Sequence, residues 1–155
     1  MTPGQELASS LRRELAAVEA VLRVLEEERV ALTERDPQRI EHCAAAKDSG
    51  LRQLVSLQQA RKSLSAPGAA TPDHLRDLVA KLDNRGENEQ LQAQLQRLGE
   101  RCEALNAANG VLIQRLQHHT RNTLKVLRGN SDAPDLYSGS GATTQHKDQH
   151  SLGRA

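Results

Sequence analysis

The chain contains no phenylalanine and no tryptophan, and Tyr137 is its single aromatic residue. Without large flat side chains a thick core is hard to fill, and single-stranded nucleic acid finds no stacking platform. Cysteine is equally scarce: Cys43 and Cys102 are unlike a disulfide framework. The opening MTPGQELASS also lacks a basic stretch followed by an apolar run, so free thiols and a cytoplasmic location are expected. Charge of one sign is missing in bulk, because 21 Lys and Arg against 20 Asp and Glu leave a formal net charge of +1. No whole-molecule field exists to hold nucleic acid by its phosphates. Nor does any uninterrupted apolar stretch approach the ~18 residues of a transmembrane helix, which predicts a protein that is not integral to a membrane.

What is present is Leu, Ala, Glu, Arg and Gln, with 26% charged residues. That is coiled-coil composition, in which a leucine seam between helices replaces a layered core. Thr2, Pro3 and Gln5 read as an N-cap, a first-turn proline and a capping-box glutamine. From there Leu11, Leu15, Val18, Leu22, Leu25 and Leu32 alternate by four and three, with Arg29 at the one position out of pattern. The first helix is predicted over 3–34. Asp36-Pro37 caps a second over 37–64, close enough in sequence to fold back as an antiparallel hairpin. Its stripe is Ile40, Cys43 or Ala44, Leu51, Leu54, Val55, Leu57 and Leu64, interrupted by Gly50.

SAPGAAT, residues 65–71, is a linker by composition, and Thr71-Pro72-Asp73 repeats the helix-start signal. A third helix is predicted over 72–128. It changes register at the polar run 83–88, read as a stutter in a continuous or slightly bent helix, since Gly86 costs only about 1 kcal/mol there. The glycine-rich end, 130–155, is too poor in apolar residues to fold alone and reads as a flexible tail. The expected architecture is all-α: an elongated antiparallel three-helix coiled-coil-like bundle over 1–129, followed by the tail.

Catalytic chemistry finds little support. His118 and His119 are adjacent and so point in different helix directions, which makes joint metal ligation awkward. His146 and His150 have metal-pair spacing without a third ligand. Cys43 and Cys102 lie on apolar stripes, where a thiol behaves as a small hydrophobe. Glu26, Glu27 and Glu28 read as a solvated face, and Lys47, near the second helix's seam, as a packed stem with its ammonium in water, a specific buried carboxylate partner being the alternative. No enzyme, no metal and no cofactor is predicted.

The most organised surface runs from Leu105 to Leu127. Leu112, Ile113, Leu116, Thr120, Leu124 and Leu127 fall on one helical face, while Arg115, Arg121, Lys125 and Arg128 lie opposite, with no acidic residue between Val111 and Arg128. Asn109-Gly110 alone would signal a turn, yet the stripe stays in phase through it. A glycine tolerated inside a helix suggests close approach of another backbone, with Asn106 and Asn109 supplying hydrogen bonds. The approaching backbone belongs either to a partner or to the chain's own first hairpin.

These residues carry a resemblance. LNxxNGxLI at 105–113, the Leu124 and Leu127 pair, and LYxxxG from Leu136 and Tyr137 resemble the FlgN family of flagellar synthesis proteins. Lys47, Leu51, Leu54 and Arg61 look like that family's second helix. The resemblance implies a cytosolic export chaperone for the hook-associated proteins of the hook-filament junction. It implies that Leu112, Ile113, Leu116, Thr120, Leu124 and Leu127 contact the client's C-terminal helical region. Asn106, Asn109 and Gly110 would shape the helix, and Leu136 and Tyr137 would dock at the cytoplasmic domain of the flagellar export gate. The export ATPase is a further candidate partner; nucleic acid is not. Family members often have glycine directly after the tyrosine, where this chain has Ser138. Two readings from other classes compete: a structural or tethering coiled-coil oligomer, and a nucleic-acid binder working through Arg115 to Arg128.

Overall fold

The computed structural model describes residues 2–64, 72–82 and 86–129. The linker 65–71 and the expected tail, with Leu136, Tyr137, His146 and His150, lie outside them. Among the described residues four helices follow in order: α1 (Pro3–Glu34), α2 (Pro37–Ser63), α3 (Pro72–Leu82) and α4 (Glu87–Leu127). The fold is an all-α bundle of packed helices, as the composition implied.

Local chemistry sets the first two helices. The capping box of α1 forms as expected: the Gln5 amide donates to Thr2 Oγ1 at 3.3 Å and the Thr2 amide to Gln5 Oε1 at 2.9 Å. Arg35 closes the helix in the left-handed region at φ 55, its amide reaching back to the Leu32 carbonyl at 3.3 Å. Asp36 then caps α2 by accepting from the Arg39 amide at 3.2 Å. The two helices run antiparallel, since Glu28 meets Lys47 near their joined ends and Glu14 meets Arg61 farther along.

The seam of α1 is wider than the leucine pattern suggests. Leu11, Val18, Leu25 and Leu32 are buried, but so is a second heptad row made of Leu7, Glu14, Val21 and Glu28. Each well-covered leucine stabilises the bundle by roughly 1.5 to 3 kcal/mol. Leu15 is half-buried and Arg29 exposed, so the seam turns towards the row that contains the two acids.

The stretch 72–128 is not one helix. Gly86 has φ +74, a conformation no right-handed helix accommodates, and it separates α3 from α4. The stutter reading underestimated the polar run, which has no apolar side chain to hold a helix against α1 while a reversal lets both flanking helices pack. Leu75, Leu78 and Leu82 of α3 and Leu91 and Leu95 of α4 all pack on the cluster of Leu7, Leu11 and Val79. The Leu82 carbonyl lies 2.6 Å from where a Cβ on Gly4 would sit, and the Gly4 carbonyl accepts from Asn88 Nδ2 at 3.2 Å. α3 therefore covers the first turns of α1, beyond the Glu14 contact with the end of α2, and α4 sets out from the same place as the third rod of the bundle.

By internal contacts the chain divides into Met1–Leu116, which holds the packed bundle, and Gln117–Ala155, of which residues 117–129 are described.

Candidate binding surface

α4 docks in parallel along α1. Asn88 Nδ2 donates to the Gly4 carbonyl at 3.2 Å, Cys102 Sγ to the Val18 carbonyl at 3.8 Å, and Asn109 Nδ2 to the Leu25 carbonyl at 2.9 Å, each pair separated by 84 residues. The fully covered residues of α4 are Asn88 and Asn109, both asparagines. Its leucines, from Leu91 through Leu98 and Leu105, are half-buried. The docking is thus specific in register and sparing in apolar burial.

Asn109 also closes a polar node. Its Nδ2 donates to Glu28 Oε2 at 2.9 Å, while Lys47 Nζ donates to Glu28 Oε1 at 2.8 Å and to Asn106 Oδ1 at 3.4 Å. One carboxylate, 2% exposed, so ties together α1, α2 and α4. This corrects two expectations: Glu28 belongs to the seam and not to a solvated face, and Lys47 has a specific buried carboxylate partner. A second pair, Arg61 Nε to Glu14 Oε1 at 2.5 Å, joins α1 and α2 where Glu14 is fully buried. Sequence reading missed both acids, although the heptad spacing of Leu7, Glu14, Val21 and Glu28 was available as a signal.

Asn106 and Asn109 accordingly make contacts within the molecule, and the approach at Asn109 comes from α1. Gly110 behaves otherwise: a Cβ there would meet nothing within 4 Å, so no close backbone approach explains it. Close approach occurs at Gly4 and at Gly50, where a Cβ would stand 2.9 Å from Val21 Cγ2. Between α1, α2 and α4 lie two clefts of about 290 and 130 Å³; Leu51 and Cys102 line both.

Along the predicted stripe, Leu112, Ile113 and Leu116 are half-buried and Thr120 is exposed. Leu127, at 76%, is the most open large apolar side chain among the described residues, and Leu124 is 45% exposed, close to Leu51, Val55 and Leu64 of the first hairpin. Arg115, Arg121, Lys125 and Arg128 are all exposed. His118 Nδ1 lies 3.3 Å from Asn122 Nδ2, and the His119 carbonyl accepts from Thr123 Oγ1 at 3.0 Å. Burial pushes both thiols above the ordinary cysteine range, Cys43 further raised by the nearby Glu27 and Glu28 charges, so neither is activated. Among the described residues, no group of three or more His, Cys, Asp or Glu is placed to hold a metal ion, and no helix is long and apolar enough to cross a membrane.

A helical bundle whose last helix ends in an uncovered apolar row has the build of a protein-binding module. The chain belongs to the FlgN family: the model of that family, described as FlgN protein, matches residues 1–145. The family is one of flagellar export chaperones, in agreement with the resemblance read from Leu105 to Gly141. Neither a curated protein nor a solved structure matches the chain.

Proposed function

We propose that this protein is a cytoplasmic export chaperone that holds the C-terminal helical region of hook-filament junction proteins, prevents their premature assembly and delivers them to the flagellar type III export apparatus. The observation that carries the reading is the apolar row of α4, which is half-covered at Leu112, Ile113 and Leu116 and open at Leu124 and Leu127. Anchors at i, i+4 and i+7 suit a helix laid alongside, and ordering a client segment costs on the order of 2 to 5 kcal/mol, which favours a continuous apolar track with limited affinity. Asn106, Asn109 and Gly110 set the helix on which the track lies. Leu136 and Tyr137 serve the separate step of docking at the cytoplasmic domain of the export gate.

The test is a calorimetric titration with the purified C-terminal segment of a junction protein. Leu124→Asp combined with Leu127→Asp is the informative variant, because both side chains are exposed and the bundle does not depend on them. Saturable binding that the variant loses, with helicity retained, supports the reading. A stable self-associated species that ignores the segment would replace it with a structural coiled coil.

A further inference from the structure

The end of α4 carries a second ridge that the client track does not use. Arg121, Lys125 and Arg128 are spaced i, i+4, i+7 and are all exposed. Thr120, Leu124 and Leu127 repeat that spacing one position earlier, so a basic and a largely apolar ridge run side by side, about 100° apart around the helix. Among the described residues the six ion pairs all lie elsewhere, leaving these three cations without an acidic partner. In a chain whose formal net charge is +1, residues 112–129 carry four Lys and Arg and no acidic residue.

We infer that the end of α4 attaches to the surface of an anionic phospholipid bilayer. Leu124 and Leu127 enter the boundary between headgroups and acyl chains, while Arg121, Lys125 and Arg128 lie against the phosphates. Two aliphatic side chains are too few to hold a neutral bilayer, so attachment depends on acidic lipid. The apolar ridge is what distinguishes this surface from one made for nucleic acid: a duplex would use the cations and leave Leu124 and Leu127 exposed. The inference goes beyond the client reading and shares Leu124 and Leu127 with it, whereas the three cations lie outside the client track, so the cation variant separates the two.

Co-flotation of the full chain with vesicles tests it. Binding is expected to vesicles containing phosphatidylglycerol, not to phosphatidylcholine alone, and to weaken steeply with salt. Each cation at such a surface multiplies partitioning by roughly fivefold, so Arg121→Gln, Lys125→Gln and Arg128→Gln together lower it by about a hundredfold. Circular dichroism and client-segment affinity of that variant should stay unchanged. Leu124→Ser with Leu127→Ser should also lose the vesicles. Equal binding to neutral vesicles, no binding to acidic ones, or full binding by the triple variant would overturn the inference. So would retention on a DNA duplex as strong as on vesicles and indifferent to the leucine substitutions, which would mark a general polyanion surface.

Discussion

Asn109 and Leu25 lie 84 residues apart in sequence and 2.9 Å apart as amide and carbonyl, and the same separation recurs where Cys102 meets Val18 and Asn88 meets Gly4. These contacts step along both helices by heptads or pairs of heptads, so α4 follows α1 in parallel with one fixed register. A leucine seam alone tolerates slippage by a heptad. Asparagine amides aimed at particular carbonyls do not.

Asn109→Ala should therefore cost more than its volume suggests. The substitution removes one donor from the Leu25 carbonyl and another from the buried Glu28 carboxylate, which keeps Lys47 alone. Leaving a buried charged acceptor short of a partner costs roughly 1 to 3 kcal/mol, so urea unfolding should show a loss of about 2 kcal/mol. A loss under about 0.5 kcal/mol would mean that α4 is not held through this residue.

The ion pairs should divide by burial. Lys47 and Glu28 have side-chain exposures of 22% and 2%, and Arg61 and Glu14 of 11% and 0%. Removing one partner of such a pair strands the other, so Lys47→Ala or Arg61→Ala should destabilise by about 2 to 4 kcal/mol, with Arg61 the larger effect. Arg101→Ala, which breaks the open pair with Glu26, should change stability by no more than about 0.5 kcal/mol. A double substitution, Glu28→Gln with Lys47→Met, should recover part of the Lys47→Ala loss. Equal effects for the buried and open pairs would show that burial is not what sets their weight.

The sequence disclosed most where a residue acts on backbone close to itself. Thr2 with Gln5, and Asp36 before Pro37, place the ends of α1 and α2 because capping involves groups three residues apart. The break at Gly86 stayed hidden, since a glycine within a helix costs only about 1 kcal/mol and what decides is whether α3 gains more by turning back onto Leu7 and Leu11. Glu14 and Glu28 were hidden for a related reason: an acid enters a seam only with a partner, and their partners come from another helix. The apolar row of α4 was legible as a period. Its cover was not, because the pattern of one helix does not say how far its neighbours reach.

Two glycines in long helices should respond in opposite directions to the same change. Gly110→Ala should stabilise the protein by about 0.5 to 1 kcal/mol, because a Cβ there meets nothing within 4 Å and the helix gains alanine's propensity. At Gly50 the new methyl would stand 2.9 Å from Val21 Cγ2, on a β-branched side chain with one preferred rotamer. Overpacking of that kind costs roughly 1 to 3 kcal/mol, which outweighs the propensity gain, so Gly50→Ala should lower stability. Thermal unfolding of the two variants side by side checks the sign. A stabilised Gly50→Ala would mean that α2 does not press on α1 at this point.

Cys43 and Cys102 give a pH dependence with a defined sign. Both thiols titrate above the ordinary cysteine range, chiefly because burial disfavours the thiolate. At neutral pH they should react with iodoacetamide more slowly than a free thiol, and Cys43, the buried one, should also wait on opening of the bundle. The unfolded chain releases these protons first as pH rises. Stability should therefore be unaffected by the thiols below the ordinary thiol range and should fall as pH rises through it. Cys43→Ser with Cys102→Ser, compared with the parent by urea unfolding at pH 7.5 and at pH 10, should remove that part of the alkaline loss. An unchanged loss would assign it to other groups.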